Sequence, residues 1–167
     1  KVVGVVNKER KIAYVLPEEC PCCRTRIVQP KGMVDSYCPN DDCDAQVLER
    51  LKHGCGRSAL DIDGCGEVLI TEMMKHGVRK LSDVFSLHPG FMKPAARKRF
   101  VTGRAACAAQ SLWRKFHALG IDGFGQTLCE RVADRWSSLD DAFSATETVL
   151  DHRGKECLVY LLRELVG

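Results

Sequence analysis

The sequence predicts a mainly α protein in which a small four-cysteine finger with short β-hairpins precedes an all-α domain built from four helix-hairpin-helix units. Three observations lead there. Two close cysteine pairs, Cys20/Cys23 and Cys38/Cys43, lie fourteen residues apart. The pattern Ile-Asp-Gly-x-Gly occurs at 62–66 and again at 121–125, each time ahead of a stretch with helical spacing. Strand-like alternation is absent after residue 40.

The elements follow in order. Residues 1–15 (KVVGVVNKERKIAYV) hold two β-branched runs around a polar turn at Asn7–Lys11, the pattern of a short hairpin. They bury too little to stand alone, so they read as the tail of a preceding β domain. The chain also opens on Lys1 and not Met, as expected for a piece of something longer. The paired cysteines occupy 17–43, around a Gln29-Pro30-Lys31-Gly32 turn. Ala45, Val47, Leu48 and Leu51 then take helical spacing, with Gly54 as the expected stop. Further helices are predicted over 66–76, 82–87, 104–118, 125–136, 139–145 and 155–165.

The cysteine spacing is C-x2-C, fourteen residues, then C-x4-C. Structural Zn²⁺ takes four ligands tetrahedrally, often all thiolate, and a C-x2-C turn sets two sulfurs on one edge of the ion. Cys20, Cys23, Cys38 and Cys43 are the predicted ligands, with iron in the same geometry as an alternative. Four sulfurs leave no open position for water, so the metal is expected to be structural. Cys22 is a rival ligand beside Cys23. Arg24 stands where a glycine would ease a positive-φ turn. The other six of the ten cysteines are scattered. Disulfides need an oxidising compartment, for which the sequence carries no targeting signal.

The glycine turns deliver a following helix with its first N–H groups exposed, and those groups with the positive end of the dipole form an anion site. A DNA phosphate fits without any base being read. Gly64 and Gly66 in the first turn and Gly123 and Gly125 in the third are the predicted contacts. Two degenerate turns complete a series of four. Val101-Thr102-Gly103 precedes RAACAAQSLWRKF, and Asp151-His152-Arg153-Gly154 precedes KECLVYLLREL. Gly103 and Gly154 are assigned there, with Arg104 and Arg153 compensating by charge. Arg57, just before the first turn, is a further phosphate candidate; the alternative is a surface salt bridge with Asp61. A plain packing role for the turns is the competing reading.

Charge supports an anionic partner by its distribution more than its total, since the formal net charge is only +3. From Phe91 to His117 there are seven basic residues (Lys93, Arg97, Lys98, Arg99, Arg104, Arg114, Lys115) and no acid. From Ala118 to Asp151 there are two basic and seven acidic residues. No run of eighteen apolar residues occurs, so no membrane-spanning helix is expected.

In this order, these features resemble the bacterial NAD-dependent DNA ligases. Lys1–Arg10 (KVVGVVNKER) is similar to the exit of that family's OB fold. Pro17–Cys23 and Cys38–Gln46 (CPNDDCDAQ) are similar to its zinc finger. His53–Gly66 (HGCGRSALDIDGCG) resembles the HF-x-S-R-x-A-M-D-I-x-G-L-G stretch, and Leu119–Gly125 (LGIDGFG) its third hairpin. Gly54 and Cys55 stand in place of Phe-Ala, and Cys65 in place of Leu. The resemblance implies an OB-fold tail over 1–16, a zinc finger over 17–46 and a helix-hairpin-helix domain over 47–167. It implies a monomeric, cytoplasmic, nucleoid-associated bacterial enzyme. Such an enzyme takes AMP from NAD with Mg²⁺ and joins 5′-phosphate to 3′-hydroxyl at nicks in double-stranded DNA during replication and repair. The family's adenylated lysine lies in a K-x-D-G motif. Here Asp61-Ile62-Asp63-Gly64 puts aspartate at the lysine position. The chain by itself is therefore expected to grip DNA and to catalyse nothing. The alternatives are a non-enzymatic zinc and hairpin module of a repair or recombination protein, and a zinc-stabilised protein-interaction domain.

Overall fold

A computed structural model describes residues 16–29, 31–32, 34–121 and 125–134. The chain divides into two compact units, Lys1–Cys43 and Asp44–Gly167. The hairpin expected within 1–15 and the helices expected over 139–145 and 155–165 lie outside the described residues.

In the first unit, regular pairing is limited to two antiparallel bridges among the described residues, Glu19 with Arg26 and Val28 with Tyr37. Val28 and Tyr37 exchange both backbone hydrogen bonds at 3.0 Å. The second bridge folds the segment after Cys23 back on itself, and Cys38 follows directly.

The second unit contains helices α1 (Asp44–Cys55), α2 (Glu67–Lys75), α3 (Leu81–Ser86), α4 (Pro94–Ala106), α5 (Leu112–Ala118) and α6 (Gln126–Ala133). Its main core joins Val47, Leu51 and Cys55 of α1 to Ile70 and Met73 of α2, Leu81 and Val84 of α3, and Phe100 of α4. A smaller cluster forms around Phe116 of α5 and Cys129 of α6. Carbonyls left open at the C-terminus of α1 are used by the loop that follows: Leu60 N–H donates to Gly54 at 3.1 Å and Ile62 N–H to Cys55 at 3.0 Å. That docks the first glycine turn onto α1.

The structure corrects three sequence expectations. Gly54 does not stop α1; it lies within the helix. A Cβ there would meet Leu81 Cδ1 at 2.8 Å and the Ala118 carbonyl at 3.1 Å, so its bareness lets α3 and α5 come close. The predicted helix over 104–118 is two helices. α4 ends at Ala106, a 3₁₀ turn covers Cys107–Ala109, and α5 starts at Leu112. The turn expected at 101–103 does not exist, because Val101, Thr102 and Gly103 are inside α4. The second turn comes earlier, where a 3₁₀ turn at Pro89–Phe91 leads into α4. Pro94 sits at the first helical position, where its fixed φ favours initiation and its missing N–H costs nothing. The basic run hides this helix from periodicity, since only Phe100 and Gly103 of its residues are buried.

α3 has six residues, too few to be stable in isolation. Both of its ends are held. Asp83 Oδ2 accepts the backbone N–H groups of Arg79 and Lys80, each at 2.8 Å. At the other end Arg104 Nη1 donates to the carbonyls of Val84, Phe85 and Leu87 at 3.2, 2.9 and 2.9 Å.

Gly103 marks a close backbone approach between α4 and the first glycine turn. A Cβ built there would lie 2.7 Å from the Asp63 backbone nitrogen in the first glycine turn. In an exposed helix, glycine to alanine would gain about 1 kcal/mol. Here the added methyl meets backbone, so Gly103→Ala is expected to destabilise by about 1–3 kcal/mol, the cost of overpacking. Urea unfolding reads the sign as a lowered midpoint; a raised midpoint would contradict the contact.

Candidate metal centre and nucleic-acid interface

The first cysteine pair is set by a tight knuckle. Arg24 N–H donates to the Cys20 carbonyl at 2.9 Å and Cys20 N–H to the Thr25 carbonyl at 2.8 Å. Closing this turn puts Arg24 at φ +62°, the left-handed conformation for which glycine is better suited. The second pair is set by Asn40, whose carbonyl accepts the Cys43 N–H at 3.1 Å and whose side-chain oxygen accepts the Asp42 N–H at 3.0 Å.

The result is a cluster of four sulfurs, from Cys20, Cys23, Cys38 and Cys43, all within 4.8 Å of one another. The Cys20–Cys43 separation is 3.8 Å and the Cys23–Cys38 separation 3.5 Å. A tetrahedral ion with metal–sulfur bonds of about 2.3 Å has sulfur–sulfur edges of about 3.8 Å. The quartet therefore fits a tetrahedral thiolate-bound ion, with all four positions taken. Cys22 is exposed and outside the cluster. Two of the four thiols are biased toward thiolate. Backbone N–H groups of Cys23 and Cys22 hold the Cys20 thiol below its usual range. The Thr25 hydroxyl and backbone hold Cys23 at about 6.

In the helical unit the turn glycines have different roles. Gly64 has φ +84°, so the turn itself requires glycine there. Gly66 caps α2 with φ −81° and ψ 172°, and Gly125 caps α6 with φ −68° and ψ 168°. Any residue adopts such extended backbone, and a Cβ at either glycine would find nothing within 4 Å among the described residues. Neither cap uses a side chain to satisfy the helix's first N–H groups. Among the described residues, neither the backbone conformation nor the packing requires glycine at either helix start. Gly123 and Gly154 lie outside the described residues.

The basic run is mostly engaged with the protein itself. Arg104, expected beside a phosphate, spans the end of α3 and lies 5.3 Å over the Phe100 ring. Arg97 donates to the Met92 carbonyl at 3.3 Å and Lys115 to the Ala108 carbonyl at 2.8 Å. Arg114 donates to the carbonyls of Arg57 and Ala59, both at 2.9 Å. Arg99 makes a two-point pair with Asp63 at 2.9 and 2.7 Å. The side chains of Lys93 and Lys98 are exposed and have no hydrogen bond or ion pair among the described residues. The Arg57 side chain is exposed, and among the described residues no salt bridge joins it to Asp61. Sequence reasoning missed the second turn at 88–93, which keeps one glycine, Gly90, and has the buried Met92 where the other turns have a second glycine. The Pro89-Gly90 and Pro94 punctuation was its available signal.

No family model matches the chain. Among characterised proteins it is 37% identical over 142 residues to a DNA ligase of Frankia casuarinae, covering 80% of this chain and 20% of the relative. It is 36% identical over 151 residues to a DNA ligase of Chlorobaculum tepidum, covering 84% of the chain and 22% of that protein. A DNA ligase of Chlorobium phaeobacteroides is 31% identical over the same length of 151 residues. The similarity is to one segment of bacterial DNA ligases. The chain spans about a fifth of the length of these curated relatives. Among the described residues no helix is long and apolar enough to cross a membrane.

The metal centre makes a direct prediction. Purified chain is expected to carry one ion, which Cys38→Ser or Cys23→Ser removes and Cys22→Ser leaves in place, by elemental analysis. Full chelation is expected to unfold residues 17–43, because binding energy at such sites is folding energy. Unchanged circular dichroism and protease resistance after metal removal would contradict it.

Proposed function

We propose that this chain is the DNA-gripping segment of an NAD-dependent DNA ligase. It holds one structural Zn²⁺ and meets nicked duplex DNA through glycine-headed helix starts of helix-hairpin-helix type. The observation that carries the reading is the pair of caps at Gly66 and Gly125. Packing among the described residues leaves both positions free to bear a side chain. A ligand approaching the backbone closely would explain why neither does. A phosphate is the natural ligand of an uncapped helix N-terminus. The similarity to DNA ligases supports the same partner.

In this reading residues 1–16 close an OB fold, 17–46 form the zinc finger and 47–167 the hairpin domain. Cys20, Cys23, Cys38 and Cys43 would hold the zinc, which supplies geometry and no reaction step. Gly64 shapes the first turn while Gly66 admits the phosphate; Gly123 and Gly125 divide the same tasks in the third. Arg57, Lys93 and Lys98 add positive charge on the exposed surface. Gly103 and Arg104 support the turns from behind, and Gly154 would head a fourth. The intact enzyme would work as a monomer in the bacterial cytoplasm, at the nucleoid, using NAD and Mg²⁺ bound elsewhere to activate the 5′-phosphate.

Duplex binding by the chain is expected to be independent of sequence and to fall with salt, with a log–log slope of about −0.9 per phosphate neutralised. Gly66→Val and Gly125→Val are each expected to weaken it about tenfold to hundredfold, through loss of hydrogen bonds to a charged acceptor. Fluorescence anisotropy on a nicked duplex measures both; a flat salt dependence would sink the phosphate-binding reading. Incubation with labelled NAD should leave the chain unlabelled, and stable labelling would contradict the assignment of adenylation to another part of the enzyme.

A further inference from the structure

The first glycine turn carries a residue that works against its proposed ligand. Asp63 sits between Ile62 and Gly64, where a carboxylate repels an approaching phosphate. Two residues of α4, one helical turn apart, converge on it. Gly103 brings the α4 backbone against the Asp63 nitrogen. Arg99 closes on the carboxylate with both Nε and Nη2, at 2.9 and 2.7 Å. The pair is exposed, 63% for Arg99 and 59% for Asp63, so it contributes little to stability as a surface ion pair. Its geometry is nevertheless the two-point kind that fixes orientation.

We propose that Arg99 is a positioning residue for the DNA-phosphate site of the first turn, acting through Asp63, which it neutralises and holds against α4. This rests on the phosphate-binding role given above to Gly66. Arg99 does not itself take the phosphate, because its guanidinium is committed to the carboxylate. The first phosphate site is then a composite. The turn and α2 supply the N–H groups, and the Arg99/Gly103 face of α4 keeps the carboxylate out of the way.

The test is a set of duplex affinities at low salt on the full 167-residue chain, with thermal unfolding recorded for every variant. Arg99→Gln is expected to weaken binding about fivefold to tenfold by exposing an unpaired carboxylate. Asp63→Asn alone is expected to bind at least as tightly as the unaltered chain. Adding Arg99→Gln to Asp63→Asn is expected to cause no further loss. An equal loss from Arg99→Gln with or without Asp63→Asn would mean that Arg99 meets the phosphate directly, and would overturn the proposal. So would an Arg99→Gln chain that binds normally, or an Asp63→Asn chain that binds more weakly. The Asp63→Asn arm decides even where Arg99→Gln fails to fold. Retained sensitivity to Gly66→Val alongside insensitivity to Arg99→Gln sinks this inference alone. Absence of duplex binding by the unaltered chain sinks both.

Discussion

The helical unit depends on one close approach. Because Gly103 has no side chain, the α4 backbone lies against the first glycine turn. Several other contacts follow from it. Phe100 reaches the main core from the same helix, and Cys107 just beyond it donates toward the Leu60 carbonyl at 3.6 Å. Arg104, the next residue along, is delivered to the end of α3. A side chain at 103 would lift α4 from the turn and loosen all three.

Positive charge in such a domain is easily misread. Seven basic residues without an acid look like a phosphate-binding face. In the structure five of them are tied to carbonyls or to Asp63, which leaves Lys93 and Lys98 exposed without such partners. Arginine is suited to this use, since its planar fork reaches several carbonyls at once while its stem packs on apolar neighbours. The proposed anionic partner rests on the uncapped helix starts rather than on the count of cations.

Local chemistry was legible in the sequence wherever it was covalent or conformational. The cysteine pairs, the strained turn at Arg24 and the turn at Gly64 follow from ligand spacing and from φ. α2 and α3 emerge within a residue or so because their apolar positions repeat at helical spacing. The failures share one cause. Gly54 and Gly103 look like breakers in the sequence, although both are helix-interior glycines kept bare by a neighbour that is remote in sequence. That information lies in the partner, Leu81 in one case and Asp63 in the other. The split of 104–118 was hidden similarly, because an alanine-rich stretch satisfies helical propensity whether or not the chain turns.

The finger's small size has a consequence for how it is stabilised. The described residues of the first unit hold little regular structure, two bridges around four sulfurs, and units this small bury too little to be stable on hydrophobic contacts alone. With an ion bound, the fold's free energy shifts by RT ln(1 + [ion]/Kd), about 1.4 kcal/mol for each tenfold of free ion. The helical unit is stabilised by contacts written into its sequence. With such an ion the finger's stability would instead be set partly by a concentration, and so by how the surrounding solution buffers that metal.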